Sequence, residues 1–88
     1  MSYRIAISKS FRKAFNKLTA EEKECTANKI KILAENPLHP SLRVKKIKGS
    51  DGLFECSVSM DIRIIWYYEN TTLILLLDIG HHNILNKY

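Results

Sequence analysis

The stretch Ile62-Arg-Ile-Ile-Trp-Tyr-Tyr-Glu-Asn-Thr-Thr-Leu-Ile-Leu-Leu-Leu-Asp-Ile79 decides the fold. Two apolar runs flank the polar Glu69-Asn-Thr71, which reads as two neighbouring strands joined by a tight turn. The second run, Thr72 to Ile79, is apolar on both faces, and a strand of that kind belongs in the middle of a sheet. The first run carries a single charge, Arg63. Upstream, Phe54, Cys56 and Val58 alternate with Glu55, Ser57 and Ser59, the period-two pattern of a strand with one solvated face. Ser59-Met-Asp61 is short enough to be the hairpin connection between them. Farther upstream, Arg43-Val-Lys-Lys-Ile-Lys48 reads as a lysine-rich strand that ends in the turn Gly49-Ser-Asp-Gly52.

The N-terminal half has helical periodicity. Tyr3, Ile5 and Ile7 alternate as a first strand, and Ser8 or Ser10 can then cap a helix with Phe11, Ala14, Phe15 and Leu18 on one face. Its opposite face carries Lys9, Arg12, Lys13 and Lys17. Thr19-Ala-Glu-Glu22 fits a capping box opening a second helix with Ala27, Ile30, Leu33 and Ala34 on its stripe. Asn36-Pro37 ends that helix, because proline disfavours helical backbone in the residue before it. The expected order is β-α-α-β-β-β-β: an N-terminal strand and a helical hairpin, then four strands of a mainly antiparallel sheet. The hairpin covers one sheet face and leaves the other partly open, an α+β fold.

The chain has 88 residues, 45% of them hydrophobic and 26% charged, a balance that argues for a folded chain. At this length residues 1–88 read as one domain, and about 60–65% of the unfolded surface is buried. A doubly wound nucleotide-binding domain, a barrel or a lidded pocket does not fit, so any active site is a shallow surface. The net charge is +5, with twelve basic and four acidic residues up to position 50 and two basic and five acidic after it. A basic surface of this kind draws nucleic acid, an anionic membrane or an acidic protein. Cys25 and Cys56 form no metal-binding or disulfide pattern and read as free thiols. The N-terminal stretch lacks a signal peptide's apolar run, and the most apolar window, Leu73 to Leu77, is too short to span a membrane. A cytoplasmic protein is expected.

Three features go beyond scaffold. Arg43, Lys45, Lys46 and Lys48 could neutralise the phosphates of RNA, or could be a solvated charge run. Arg63, alone in an apolar strand, could hold a phosphate with its planar fork, or could form an ion pair with Glu55, Asp61 or Asp78. The ending Gly80-His-His-Asn-Ile-Leu-Asn-Lys-Tyr88 offers histidines that exchange protons near neutral pH, and a tyrosine that could equally be part of a frayed tail. Neighbouring residues of an extended segment point opposite ways, so at most one of His81 and His82 faces a given site. A basic cleft, an arginine, a histidine and a tyrosine suffice for metal-free RNA cleavage by attack of a ribose 2′-OH on the adjacent phosphorus.

Phe11-x-x-x-Phe15-x-x-Leu18, Leu33-x-x-Asn36-Pro37, Val44-x-x-Ile47-Lys-Gly49, Arg63-Ile-Ile-x-Tyr67 and Ile79-Gly80-His-His82, in that order, resemble the RelE/ParE superfamily of bacterial toxin–antitoxin toxins across the whole chain. The resemblance implies a ribosome-dependent mRNA endoribonuclease without metal or other cofactor, bound by a cognate antitoxin and acting on the ribosome and mRNA. It places Arg63 at the scissile phosphate, His82 at the proton transfer with His81 or Glu55 helping, and Tyr88 stacked on a base or aiding proton transfer. Arg43, Lys45, Lys46 and Lys48 would bind RNA. The chain departs from the best-known ribonuclease members at Glu55 and Ser57, where those have lysines. The alternative is a ParE-like inhibitor of DNA gyrase with no nuclease activity.

Overall fold

A computed structural model describes residues 2–88; Met1, the first residue of the N-terminal stretch read above, lies outside them. Strand β1 spans Arg4–Ile7, helix α1 Lys9–Asn16 and helix α2 Ala20–Glu35. Strands β2 (Lys45–Lys46), β3 (Phe54–Ser57), β4 (Ile62–Tyr68) and β5 (Leu73–His81) follow. Short 3-10 helices cover Pro40–Leu42 and His82–Lys87. The five strands form one sheet in the order β1-β5-β4-β3-β2, with β1 parallel to β5 and every other pair antiparallel. The α+β architecture expected from the sequence is the one observed.

Local chemistry explains the boundaries of the helical hairpin. The Ser8 hydroxyl accepts from the Phe11 amide at 3.0 Å and starts α1. At α2 the Thr19 hydroxyl accepts from the Glu22 amide at 3.1 Å, and the Glu22 carboxylate accepts from the Thr19 amide at 2.8 Å. Such reciprocal caps satisfy two otherwise unpaired donors. The Asn36 amide makes the last bond, to the Ile32 carbonyl at 2.8 Å, before Pro37. The buried stripe of α2 differs from the expected one in one place: Ala27 is exposed, and Thr26 is fully buried with Leu33. Thr26 can enter the core because its hydroxyl donates to the Glu22 carbonyl at 2.8 Å.

The core lies between the helices and one sheet face, where Phe11, Leu33 and Leu42 meet Cys56, Ile64, Trp66, Ile74, Leu76 and Ile79. An irregularity in β5 decides which side chains enter it. Ile65 stands opposite Asp78, but the next pair is Trp66 and Leu76, so Leu77 is an extra residue. This bulge shifts the alternation, so that Ile79 joins the core and Asp78 turns to the opposite face. In unbroken register the aspartate would sit in the apolar core, at a cost of several kcal/mol (~2–7 for an unpaired polar group).

Two other sequence expectations change. The lysine-rich segment pairs with β3 only through Lys45 and Lys46, because Arg43 caps the Pro40–Leu42 turn in left-handed backbone (φ 49°). Residues 82–88 are ordered rather than frayed: the C-terminal 3-10 helix packs back across β4 and β5 and covers part of the face expected to be open.

The two thiols differ in environment. Cys25 is exposed, whereas burial pushes the Cys56 thiol up to about 12. Maleimide is expected to label Cys25 alone in the native protein and both cysteines after denaturation. Labelling of Cys56 under native conditions would mean that the core opens readily.

Candidate functional site

The sheet face away from the helices carries the candidate residues in rows set by the strand register. One row runs Ser57, Arg63, Gly80; the next runs Lys45, Glu55, Ile65, Asp78. Residues directly opposite in a sheet share a face, so Arg63, Glu55 and Lys45 belong to one surface. His81, opposite Ile62, falls on the other face.

Arg63 and Glu55 are the close pair, with Nε 3.8 Å from Oε1 and side chains only 16% and 17% exposed. Of the three carboxylates weighed as partners for Arg63, the structure selects Glu55. Arg63 Nη1 also donates to the Ser59 carbonyl at 2.7 Å and to the Ile62 carbonyl at 3.2 Å. The guanidinium is thus pinned to the β3–β4 turn by backbone acceptors, which lowers the entropy lost when it engages a ligand.

The C-terminal segment is held at two points. At Gly80 a Cβ would overlap Ile84 Cγ2, so the missing side chain is what lets the 3-10 helix lie against β5. The Tyr88 hydroxyl donates to Asp78 Oδ2 at 2.9 Å, while Asp78 Oδ1 accepts from the Ile79 amide at 2.9 Å. Burial, helped by the hydrogen bond and charge of Asp78, pushes the Tyr88 phenol up to about 12. Tyr88 is therefore a proton donor at neutral pH, already engaged within the chain.

A phenol whose value rises on folding from about 10 to about 12 favours the folded state in its neutral form. That contribution is complete below pH 10 and is lost as the pH rises through about 12. Tyrosinate absorbance should accordingly show one late-titrating phenol in the wild type that disappears in Tyr88→Phe. Identical curves from the two proteins would contradict the Tyr88–Asp78 bond.

The histidines diverge. His81 Nε2 lies 3.7 Å from Asp61 Oδ2 and 3.8 Å from Glu22 Oε2, among acids and away from the Arg63 surface. His82 opens the 3-10 helix and is exposed, and among the described residues its imidazole has no hydrogen-bond or ion-pair partner. The basic residues separate as well. Lys45 stands opposite Glu55, Lys46 opposite Phe54, and Lys48 is exposed where the chain turns back through Gly49 and Gly52, both at positive φ. Arg43 lies beyond the end of the β3 edge that β2 pairs.

The structure thus brings Arg63, Glu55 and Lys45 onto one surface and sends His81 elsewhere. Sequence reasoning weighed Asp78 only as a partner for Arg63 and did not single out Lys29, which lies beside Arg43 and Arg63. The signal for Asp78 was available, since it is as isolated within its apolar strand as Arg63 is within its own. Among the described residues, no three His, Cys, Asp or Glu side chains are grouped to hold a metal ion. No helix among them is long and apolar enough to cross a membrane.

No family model and no curated protein matches the sequence. Solved structures do match. The archaeal RelE–RelB complex from Pyrococcus horikoshii gives a TM-score of 0.73 at 23% identity, covering 92% of this chain and 96% of that one. The Escherichia coli DinJ–YafQ toxin–antitoxin complex gives 0.78 at 19% identity, with 97% and 98% covered. A YoeB/ParE toxin from Agrobacterium tumefaciens gives 0.76 at 12% identity, with 90% and 98% covered. The fold of this chain is the RelE-like toxin fold.

Proposed function

We propose that this chain is a toxin of the RelE/ParE superfamily, a ribosome-dependent mRNA endoribonuclease neutralised by a cognate antitoxin. The observation that carries the reading is the half-buried Arg63–Glu55 pair on the sheet face away from α1 and α2, in a chain with the RelE-like fold. Four of the matching structures are complexes of a toxin with an antitoxin, which supports such a partner here. The excess of positive charge supports binding to rRNA and mRNA.

Arg63 binds the scissile phosphate and stabilises the charge that builds on its oxygens. Glu55, beside it, takes the proton of the ribose 2′-OH as that oxygen attacks phosphorus. The bond from phosphorus to the 5′ oxygen then breaks, leaving a 2′,3′-cyclic phosphate and a 5′-hydroxyl. His82, exposed at the start of the 3-10 helix, supplies the proton for the leaving oxygen. Each proton transfer contributes about 10²–10⁴-fold. Tyr88 orients the substrate base, and Arg43, Lys45, Lys46 and Lys48 bind backbone phosphates. The ribosome supplies the positioning that a shallow site cannot.

The test is a purified translation reaction on a defined mRNA, with and without ribosomes, followed by mapping of 5′ ends. Discrete cuts that require ribosomes support the reading, and intact message with unaffected translation overturns it. One observation favours a gyrase-directed binder instead: the guanidinium is already satisfied by Glu55 and the Ser59 carbonyl. Inhibition of supercoiling by an uncleaving protein would establish that alternative.

A further inference from the structure

We infer that the concavity at the edge of β3 just before the chain enters β2 is a phosphate subsite in which Lys29 and Arg43 hold the RNA backbone phosphate next to the one bound by Arg63. The inference rests on the nuclease reading and adds a binding residue, Lys29, to it.

The concavity has a volume of about 210 Å³ and gathers Lys29, Arg43 and Arg63 with the hydroxyl-bearing Ser41, Ser57 and Ser59. No carboxylate lines it. That sets it apart from the molecule's other lysine-bearing hollows. The groove between α1 and the C-terminal segment mixes Lys13, Lys17 and Lys87 with Glu22 and Asp78. The hollow at Lys46 and Lys48 contains Asp51. Arg63 has its carboxylate, Glu55, outside the concavity, so inside it the three cations repel one another and gain most from an anion with several acceptor oxygens.

The parts are held in place. Lys29 Nζ donates to the Ser41 carbonyl at 3.3 Å, which uses one of its three N–H donors. The Ser41 amide donates to His39 Nδ1 at 3.1 Å and fixes the turn that Arg43 caps. Arg43 itself adopts left-handed backbone, rare for a side chain of its kind, and has no ion-pair partner among the described residues. Strain retained at a cationic residue beside a candidate site points to use of that residue. Arg63 belongs to both places, since its Nε faces Glu55 and its other end lines the concavity. A strand whose reacting phosphate sits at Arg63 therefore runs its neighbouring phosphate between Lys29 and Arg43. A single phosphodiester fits this cluster of donors better than the dispersed carboxylates of an acidic protein.

Fluorescence anisotropy with a labelled single-stranded 2′-O-methyl RNA tests the subsite, because that probe binds but lacks the attacking hydroxyl. Lys29→Gln and Arg43→Gln are each expected to weaken binding about five- to tenfold and to reduce the salt-dependence slope by about 0.7. Lys29→Arg should keep the slope. Lys31→Gln, on the exposed side of α2, should keep wild-type affinity apart from a small general charge effect. Wild-type slopes in the Lys29 and Arg43 variants overturn the inference, as do equal losses in Lys31→Gln or failure of the wild type to bind the RNA. Weakened binding to polyglutamate with unchanged RNA binding also overturns it, in favour of an acidic protein partner. Basin-dependent RNA binding by a protein that cuts nothing leaves the subsite standing and removes the nuclease reading alone.

Discussion

Arg63→Ala is expected to slow ribosome-dependent cleavage by about 10²–10³-fold, the loss typical of removing one group that stabilises transition-state charge. Growth arrest on expression should be relieved to match. Arg63→Lys should recover little, because an ammonium cannot keep Nη1 on the Ser59 carbonyl while offering a planar fork to phosphate. Stability should fall by about 1–3 kcal/mol, since Glu55, only 17% exposed, loses its cation and the Ser59 and Ile62 carbonyls lose a donor. Glu55→Gln keeps the shape and removes the proton acceptor, so it should lower the cleavage rate about 100-fold while retaining RNA affinity. His82→Ala should also relieve arrest. Cleavage within tenfold of wild type in both Arg63→Ala and Glu55→Gln would show that the chemistry lies elsewhere.

The largest effect away from these residues is expected at Gly80→Ala. The added methyl would occupy the space of Ile84 Cγ2, a branch close to the backbone with little freedom to move away. The 3-10 helix must lift from β5, and overpacking of this kind costs about 1–3 kcal/mol. Urea denaturation should report that loss. Alkaline titration should report release of Tyr88, whose phenol would return from about 12 toward an ordinary value near 10. Ile84→Ala in the same chain should make room for the methyl and restore part of both readouts, a coupling that distant residues would lack. A Gly80→Ala protein whose Tyr88 still titrates late would show that the segment tolerates the methyl without moving.

What could be read from the sequence was whatever is set by near neighbours. The Thr19–Glu22 capping box, the stop at Asn36-Pro37 and the alternation at Phe54 to Val58 are local, and the structure contains each of them. The double-sided apolarity of residues 72–79 correctly placed β5 inside the sheet. What stayed hidden depends on partners far away in the chain. The extra residue Leu77 matters only through its pairing with β4, so nothing near it announces that Asp78 will face Tyr88 rather than the core. Val44 and Ile47 suggested a strand or strand-like segment at 43–48, and the left-handed backbone of Arg43 leaves only Lys45 and Lys46 in register. The candidate site divides in the same way. Sequence singled out Arg63 and offered Glu55 among three partners for it, whereas the contribution of Lys29 needs α2 and the Pro40–Leu42 turn to meet.

The parallel pairing of β1 with β5 has a consequence for synthesis. Ile5 finds its partner in Ile74, and Ile7 in Leu76, so β1 must wait for a strand that follows both helices and three other strands in the chain. Contacts this distant in sequence close slowly and cannot close at all until both ends are outside the ribosome. An elongating chain of this protein therefore cannot complete its five-stranded sheet until β5 has left the ribosome, however early β1 and the helical hairpin emerge.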